Sequence, residues 1–368
     1  MQAPATDVPY VPTEALPPGA TLRETLDALD MSQVQFAQRT GLSTKHVNQL
    51  MQGGSAITPE TALLIERVTG VPARFWNALE SDYRDTLGRL NEDAALEGSE
   101  TWLAEWSAPV LRELRKLGHV TAPRTDKVSV VRQLLQFFGV SSTSSWNDVY
   151  AKPAASFLQS PAFQADTTAV AAWLRLGELG GAQVQCAPYS RDQLRSLVPK
   201  LRTLSREKPD VFWPQLESLC ASTGVALVLV PDIPGTRASG ATRWLTPHKA
   251  LIQLSNRGKR NDKFWFALFH ELGHVLLHEK KKVFLDDLNA RTGSGSERDE
   301  EEANEFAAST LIPKKHYAAM RALKTDLDVS QFAQTIGVAP GIVAGRLQHE
   351  HSAYNIHNAL FEKYELTQ

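Results

Sequence analysis

The stretch FWFALFHELGHVLL, residues 264–277, decides how this sequence of 368 residues is interpreted. It is apolar on nearly every side, as a buried helix would be, yet it contains the run His270-Glu271-Leu272-Gly273-His274. Histidines four residues apart lie on one face of a helix, so both imidazoles can hold one Zn²⁺ while Glu271 reaches a nearby water molecule. The spacing predicts a zinc centre with His270 and His274 as ligands and Glu271 as general base.

A catalytic zinc needs a third protein ligand, and the acidic run ERDEEEANEFAA at residues 297–308 offers one. The apolar side of this predicted helix consists of Ala303, Phe306, Ala307 and Thr310. At about 100° per residue, Glu302 flanks that side, and we predict that it is the third ligand. Glu301 and Asp299 remain open alternatives. The oxyanion-stabilising group is also open, the candidates being Tyr317, His316, Arg291 and His278.

Residues 21–85 carry a second, independent pattern, that of a helix-turn-helix domain. One helix is predicted over residues 33–40, Gly41 makes the turn, and a second helix is predicted over residues 44–51. Two further helices are predicted over residues 59–69 and 72–83, each beginning with a proline. The segment from residue 31 to residue 59 contains two basic residues and no acidic one, in a chain of net charge −2. Five polar side chains are predicted to contact DNA bases or phosphates: Gln33, Thr44, Lys45, Asn48 and Gln49.

Composition excludes several other classes of protein. The net charge of −2 provides no overall field for nucleic acid, so DNA contact must come from a local surface. No apolar run reaches the length of a membrane span, and the proline-rich start lacks the basic and apolar segments of an export signal. We therefore expect a cytoplasmic protein without a membrane partner.

The predicted fold class is mainly α with a small antiparallel β-sheet, that is, α+β. Three strands are predicted, over residues 225–230, 240–245 and 249–254. Such a sheet would offer an edge strand to an extended peptide substrate. The predicted regions are a disordered arm (1–20), a five-helix helix-turn-helix domain (21–90), a helical middle domain (91–222), a zinc peptidase domain (223–325) and a C-terminal helical segment (326–368).

The C-terminal segment repeats part of the helix-turn-helix sequence. FAQRTGLSTKHVNQLMQ at residues 36–52 aligns without gaps on FAQTIGVAPGIVAGRLQ at residues 332–348. The second copy keeps the core positions, but it has Pro340, Gly341, Ala344 and Gly345 in place of the polar side chains of the first. We predict that it is a structural helix pair or a docking surface for a protein, and that it does not read DNA bases.

Two resemblances to known families extend this interpretation. Residues 31–83 resemble the Xre-type helix-turn-helix of HigA-like antitoxins, and residues 264–281 followed by EEANEFAASTLIP at residues 301–313 resemble the gluzincin-like ImmA/IrrE metallopeptidases. Members of that family depend on zinc and cleave a DNA-binding repressor. The resemblance implies a Zn²⁺ cofactor on His270, His274 and a Glu of the EEAN segment, where Glu302 is the matching position. It implies operator DNA and a repressor as partners, and we include a homodimer among the expected assemblies.

Three hypotheses of different classes follow. The favoured one is a cytoplasmic zinc endopeptidase whose DNA-binding domain brings it to a repressor or promoter in a stress or mobile-element response. The second is an antitoxin-like transcriptional repressor whose peptidase-like domain senses metal or binds a partner, although a metal sensor has no need of the general base Glu271. The third is an interaction protein, which would show neither zinc nor salt-dependent DNA affinity.

Overall fold

The structure, a computed structural model, describes residues 14–152, 154, 166–255, 260–279, 284–286 and 297–365. The chain divides into two compact units, residues 1–101 and residues 102–368. Most of the predicted disordered arm, residues 1–13, lies outside the described residues, and the rest of it contributes the start of the first helix.

Five α-helices make up the described part of the first unit: α1 (Pro18–Ala28), α2 (Gln33–Thr40), α3 (Thr44–Met51), α4 (Pro59–Thr69) and α5 (Ala73–Glu97). Short-range hydrogen bonds fix the helix-turn-helix. Ser32 and Gln35 bond each other's backbone N–H groups at the start of α2, and Ser43 accepts from the N–H of His46 at the start of α3. Gly41 adopts φ +76° between them, a conformation that costs glycine little.

The core of this unit lies between the helices. Phe36, Val47 and Leu50 are buried against α1 and α5, whose contributions include Leu22 and Trp76. The predicted helix from residue 72 to residue 83 is longer in the structure, where α5 continues to Glu97. Two ion pairs at i,i+4 spacing stabilise the extension, Arg84 with Glu80 at 2.7 Å and Arg89 with Asp85 at 2.9 Å.

The second unit contains these further α-helices among the described residues: α6 (Ala108–Lys116), α7 (Lys127–Phe138), α8 (Thr143–Trp146), α9 (Thr167–Gln183), α10 (Arg191–Thr203), α11 (Pro209–Ala221), α12 (Asn261–Leu277), α13 (Glu297–Leu311), α14 (Tyr317–Arg321), α15 (Asp326–Ile336) and α16 (Pro340–His351). Its strands are β1 (Val225–Val230), β2 (Gly240–Thr246), β3 (Lys249–Ser255) and β4 (Phe284–Asp286). The predicted class, mainly α with a small sheet, is confirmed.

The sheet is mixed rather than antiparallel, which corrects the prediction. The strand order is β1-β3-β2-β4, with β1 parallel to β3 and the other two pairings antiparallel. The tight turn at residues 247–248 makes β2 and β3 a hairpin, whereas the longer connection 231–239 lets β1 join the opposite side of β3. Local sequence patterns predict where strands occur, but they do not predict the order of the strands in the sheet.

Helices cover both faces of this sheet. Helix α9 packs on one face, where Gly181 leaves room for the side chain of Leu251 and Gly180 lies next to Val228. Helices α11 and α12 cover the other face, in a core that includes Ile252 and Trp265. Burial on both faces explains why β1 reads VALVLV, with every residue buried. The helical middle region therefore forms part of the same compact unit as the sheet.

The C-terminal helix pair packs onto the start of α12. Gly341 and Gly345 of α16 lie directly against Asn261 and Asp262, where any side chain on either glycine would overlap them. The glycines that replace the polar side chains of the first helix-turn-helix copy are thus required by packing. Within the described ranges, no helix has the length and apolarity to cross a membrane.

Candidate metal centre

Helix α12 carries the HExxH residues in the interior of the second unit. The side chains of His270, Glu271 and His274 are all buried. The two imidazoles face each other one turn apart, with 2.9 Å between their Nε2 atoms. The apolar residues that surround them anchor α12 on the sheet and on α13, so the polar run is held in place by packing on both sides.

Helix α13 brings a carboxylate to the same place. Glu300 is buried, and its two oxygens lie 3.3 Å from Nε2 of His270 and 3.7 Å from Nε2 of His274. Gly273 permits this approach, because a methyl group there would lie 3.2 Å from the Cα atom of Ala303 on α13. The glycine of the HELGH run therefore sets the spacing of the two helices.

Glu300, and not Glu302, stands beside the two imidazoles, which corrects the prediction of the third ligand. Glu302 is 43% exposed and bonds Arg298 at 2.8 Å. The inward line of α13 runs through Ala303 and Ala307, with which Glu300 shares the i, i+3, i+7 spacing of one helix face. This spacing was visible in the sequence, and the prediction of Glu302 overlooked it.

The alternatives to Glu302 do not reach the imidazole pair either. Glu301 is exposed, and Asp299 faces His278 at 3.9 Å. Of the oxyanion candidates, Tyr317 packs against the guanidinium of Arg346, while His316 lies beside a phenylalanine of α15. Arg291 lies outside the described residues.

Asn304 holds the ring of His270. Its side-chain oxygen lies 3.1 Å from Nδ1 of that imidazole, so a proton on Nδ1 leaves Nε2 with its lone pair toward His274 and Glu300. Metal-binding histidines characteristically have such a partner behind the ring. Sequence reasoning missed Asn304, although it is part of the EEAN segment; its position four residues after Glu300 was the available signal.

Burial keeps His274 neutral. Loss of hydration, followed by the neighbouring His270 and His278 rings, lowers the pKa of His274 from 6.5 to about 2. A neutral imidazole with a free lone pair is the form that binds a metal ion.

Strand β2 holds the carboxylate of Glu271. The hydroxyl of Thr242 donates to Oε2 of Glu271 at 2.6 Å and lies 3.2 Å from its backbone oxygen. Gly240 forms the adjacent wall, because a Cβ atom there would overlap the Glu271 carboxylate. Neither β2 residue was among the predicted site residues, since only the strand pairing places them over α12.

The donor set fits a divalent cation of the zinc type. One ligand atom from each of His270, His274 and Glu300 can be chosen so that all lie within 4.8 Å of one another. Two imidazoles and one carboxylate are a frequent zinc ligand set, and catalytic zinc sites use three protein ligands and keep a further position for solvent. These residues could therefore hold a catalytic metal with Glu271 beside it.

The predicted DNA-contacting residues lie on the first unit. Four of them are exposed on α3: Thr44, Lys45, Asn48 and Gln49. Gln33, the first residue of α2, is half-buried. Two of these side chains have short-range partners, because Asn48 accepts from Gln52 at 3.5 Å and Gln49 accepts from Ser55 at 3.4 Å. Their contact with DNA remains a prediction.

Comparison with known proteins agrees with both units. A helix-turn-helix family model matches residues 22–76, and the IrrE N-terminal-like domain model of the M78 peptidases matches residues 229–348. The chain is 31% identical over 64 residues to the "Uncharacterized HTH-type transcriptional regulator YddM" of Escherichia coli (strain K12), a match covering 17% of this chain and 68% of that protein. The structure of an addiction module antidote protein of a HigA family from Coxiella burnetii is 28% identical, covering 26% of this chain and 99% of that one, with a TM-score of 0.20.

The chain thus belongs to the proteins that join a helix-turn-helix domain of the HTH-type transcriptional regulators to an IrrE N-terminal-like domain of the M78 peptidases. The family resemblance predicted from the two motifs is confirmed.

Proposed function

We propose that this protein is a zinc-dependent endopeptidase that uses Glu271 as general base and His270, His274 and Glu300 as metal ligands. The buried His270–His274–Glu300 cluster carries the proposal, because it unites an imidazole pair and a carboxylate from two helices within the region matched by the peptidase model. A stable core has no need to bury these polar groups together, since burial of each one costs free energy unless it is compensated.

The chain's own residues would move the proton. A zinc ion bound there would supply Lewis acidity, which polarises the scissile carbonyl and makes a water molecule more acidic. Glu271 takes the proton of the attacking water and delivers it to the leaving amine. Thr242 and Gly240 hold the carboxylate of Glu271 so that it keeps one orientation during both transfers.

The helix-turn-helix domain supports a DNA operator as a partner, read by the exposed face of α3. A peptidase joined to such a domain would act where repressors are bound, so we propose a transcriptional repressor as substrate, in a stress or mobile-element response. We also propose a cytoplasmic location, because the protein would need access to operator DNA. A homodimer would match paired operator half-sites.

A second candidate function is transcriptional repression of the antitoxin type, with the peptidase-like domain sensing metal or binding a partner. The identity to an HTH-type transcriptional regulator favours this candidate. The two functions differ in their need for Glu271, because sensing and DNA binding require no proton transfer.

The test is to induce the wild type and the Glu271→Gln variant in cells, and to identify newly formed protein N-termini by mass spectrometry. Endopeptidase activity predicts cleavage of a DNA-binding protein with the wild type only. Glu301→Gln serves as the matched control, because Glu301 is exposed. Equal N-terminus profiles for the wild type and Glu271→Gln, with operator binding intact in both, would favour the repressor alternative.

A further inference from the structure

His278 stands immediately behind the imidazole of His274. It follows the last residue of α12, one turn beyond His274, and its side chain is only 3% exposed. The Nδ1 atoms of the two rings lie 2.9 Å apart, within hydrogen-bond distance. His274 thus contacts His270 through Nε2 and His278 through Nδ1, so its two ring nitrogens have separate partners.

Two carboxylates of α13 face the opposite side of the His278 ring. Oε2 of Glu302 lies 3.5 Å from Nε2 of His278, and Oδ1 of Asp299 lies 3.9 Å from it. The other carboxylate oxygen of Glu302 accepts a hydrogen bond from the Arg298 guanidinium at 2.8 Å. Carboxylate oxygens accept hydrogen bonds, so these two suit the tautomer of His278 that carries its proton on Nε2.

The tautomer of His278 determines which ring nitrogen of His274 carries a proton. With its proton on Nε2, His278 has a lone pair on Nδ1 and accepts a hydrogen bond from Nδ1–H of His274. Nε2 of His274 then presents its lone pair toward His270 and Glu300. His270 likewise presents a lone pair on Nε2, because the side-chain oxygen of Asn304 accepts a hydrogen bond from its Nδ1–H.

We propose that His278, supported by Glu302 and Asp299, is a positioning residue that fixes the tautomer and ring orientation of His274 for metal binding. The inference rests on the proposed function, because it takes His274 to be a metal ligand. It also gives a role to Glu302, whose carboxylate acts on the metal site through His278. Partners behind a metal-binding histidine change metal affinity by about 10- to 100-fold.

Two substitutions at residue 278 separate hydrogen bonding from packing. Asparagine and leucine have similar sizes, but only asparagine offers an acceptor close to the position of the imidazole Nδ1. We expect His278→Leu to weaken zinc binding by about 10- to 100-fold, and His278→Asn to remain within about threefold of the wild type. His351→Leu is the control, because His351 is exposed at the end of α16.

The measurement is the zinc dissociation constant of each full-length protein, by competition with a chromophoric chelator. The visible spectrum of bound Co²⁺ gives a second readout of ligand geometry, and circular dichroism confirms that each variant is folded. Wild-type affinity in His278→Leu would overturn the positioning role. Equal weakening in His278→Asn and His278→Leu would also overturn it, because packing alone would then explain the effect. Absence of zinc binding in the wild type would instead overturn the proposed function, and this inference with it.

Discussion

The hydroxyl of Thr242 donates a hydrogen bond of 2.6 Å to Oε2 of Glu271, and both side chains are buried. Thr242 lies on β2 and Glu271 on α12, so this side-chain hydrogen bond joins the sheet to the centre of the HExxH helix. It fixes the carboxylate that we propose as general base.

Replacement of Thr242 by valine tests this contact, because valine keeps the shape and removes the hydroxyl. We expect the variant to lose about 1–3 kcal/mol of unfolding free energy, since a buried carboxylate loses its donor. Cleavage should fall through kcat rather than KM, because the base is misplaced while substrate contacts remain. Urea unfolding and steady-state kinetics measure the two effects. Thr246→Val at the exposed end of β2 is the control, and equal behaviour of the two variants would contradict the role of Thr242.

Gly240 should tolerate no side chain. In Gly240→Ala the new methyl group overlaps the Glu271 carboxylate, so we expect a loss of about 1–3 kcal/mol of unfolding free energy together with reduced cleavage. Gly88→Ala is the opposite case, because nothing lies within 4 Å of a Cβ atom on Gly88 inside α5. That variant should be more stable by about 0.5–1 kcal/mol. Thermal unfolding of both proteins checks the opposite signs, and a stable, active Gly240→Ala would show that the carboxylate lies elsewhere.

Glu350 should make the second unit sensitive to acid. A hydrogen bond from Arg321, together with the nearby Arg346, lowers the pKa of the Glu350 carboxyl from 4.5. The folded state thus favours the ionised form, so the stabilisation is complete above pH 4.5 and disappears as the pH falls below it. Urea unfolding should show the wild type more stable than Glu350→Gln near neutral pH, with the difference shrinking in acid. A difference that stays constant with pH would contradict the ion pairs.

The exposed face of α3 should account for operator affinity. Lys45→Ala combined with Asn48→Ala removes one cationic and one amide side chain. We expect operator binding to weaken by about 1–3 kcal/mol for each base that these side chains recognise. Fluorescence anisotropy at several salt concentrations gives both the affinity and the number of phosphate contacts. Zinc content should stay unchanged in this variant, and undiminished affinity for the operator would mean that α3 does not read the bases.

Local signals in the sequence predicted the helix-turn-helix almost residue by residue. The predicted bounds of α2, α3 and α4 agree with the structure because Ser32, Ser43 and Thr58 cap the starts of these helices, while Gly41 and Gly70 end α2 and α4. Each of those signals acts within a few residues. The ion pairs that extend α5 are weaker signals, and the predicted end at residue 83 was too early.

The metal centre contains both residues that local sequence patterns predict and residues that only the tertiary structure brings together. The i,i+4 spacing brought His270 and His274 together without knowledge of the fold, whereas Glu300 depends on the angle at which α13 faces α12. The i, i+3, i+7 spacing of Glu300 with Ala303 and Ala307 was an available signal for the third ligand, and the prediction of Glu302 overlooked it. Thr242 depends on strand pairing between distant segments, which no local pattern contains.

The zinc content of purified protein tests the central claim most directly. After zinc loading and gel filtration, mass spectrometry should find about one zinc per chain in the wild type and in Glu301→Gln. Glu300→Gln should lose most of that zinc to a competing chelator. Wild-type protein that holds no zinc after loading, or a Glu300→Gln variant that retains it as firmly as the wild type, would contradict a site formed by His270, His274 and Glu300.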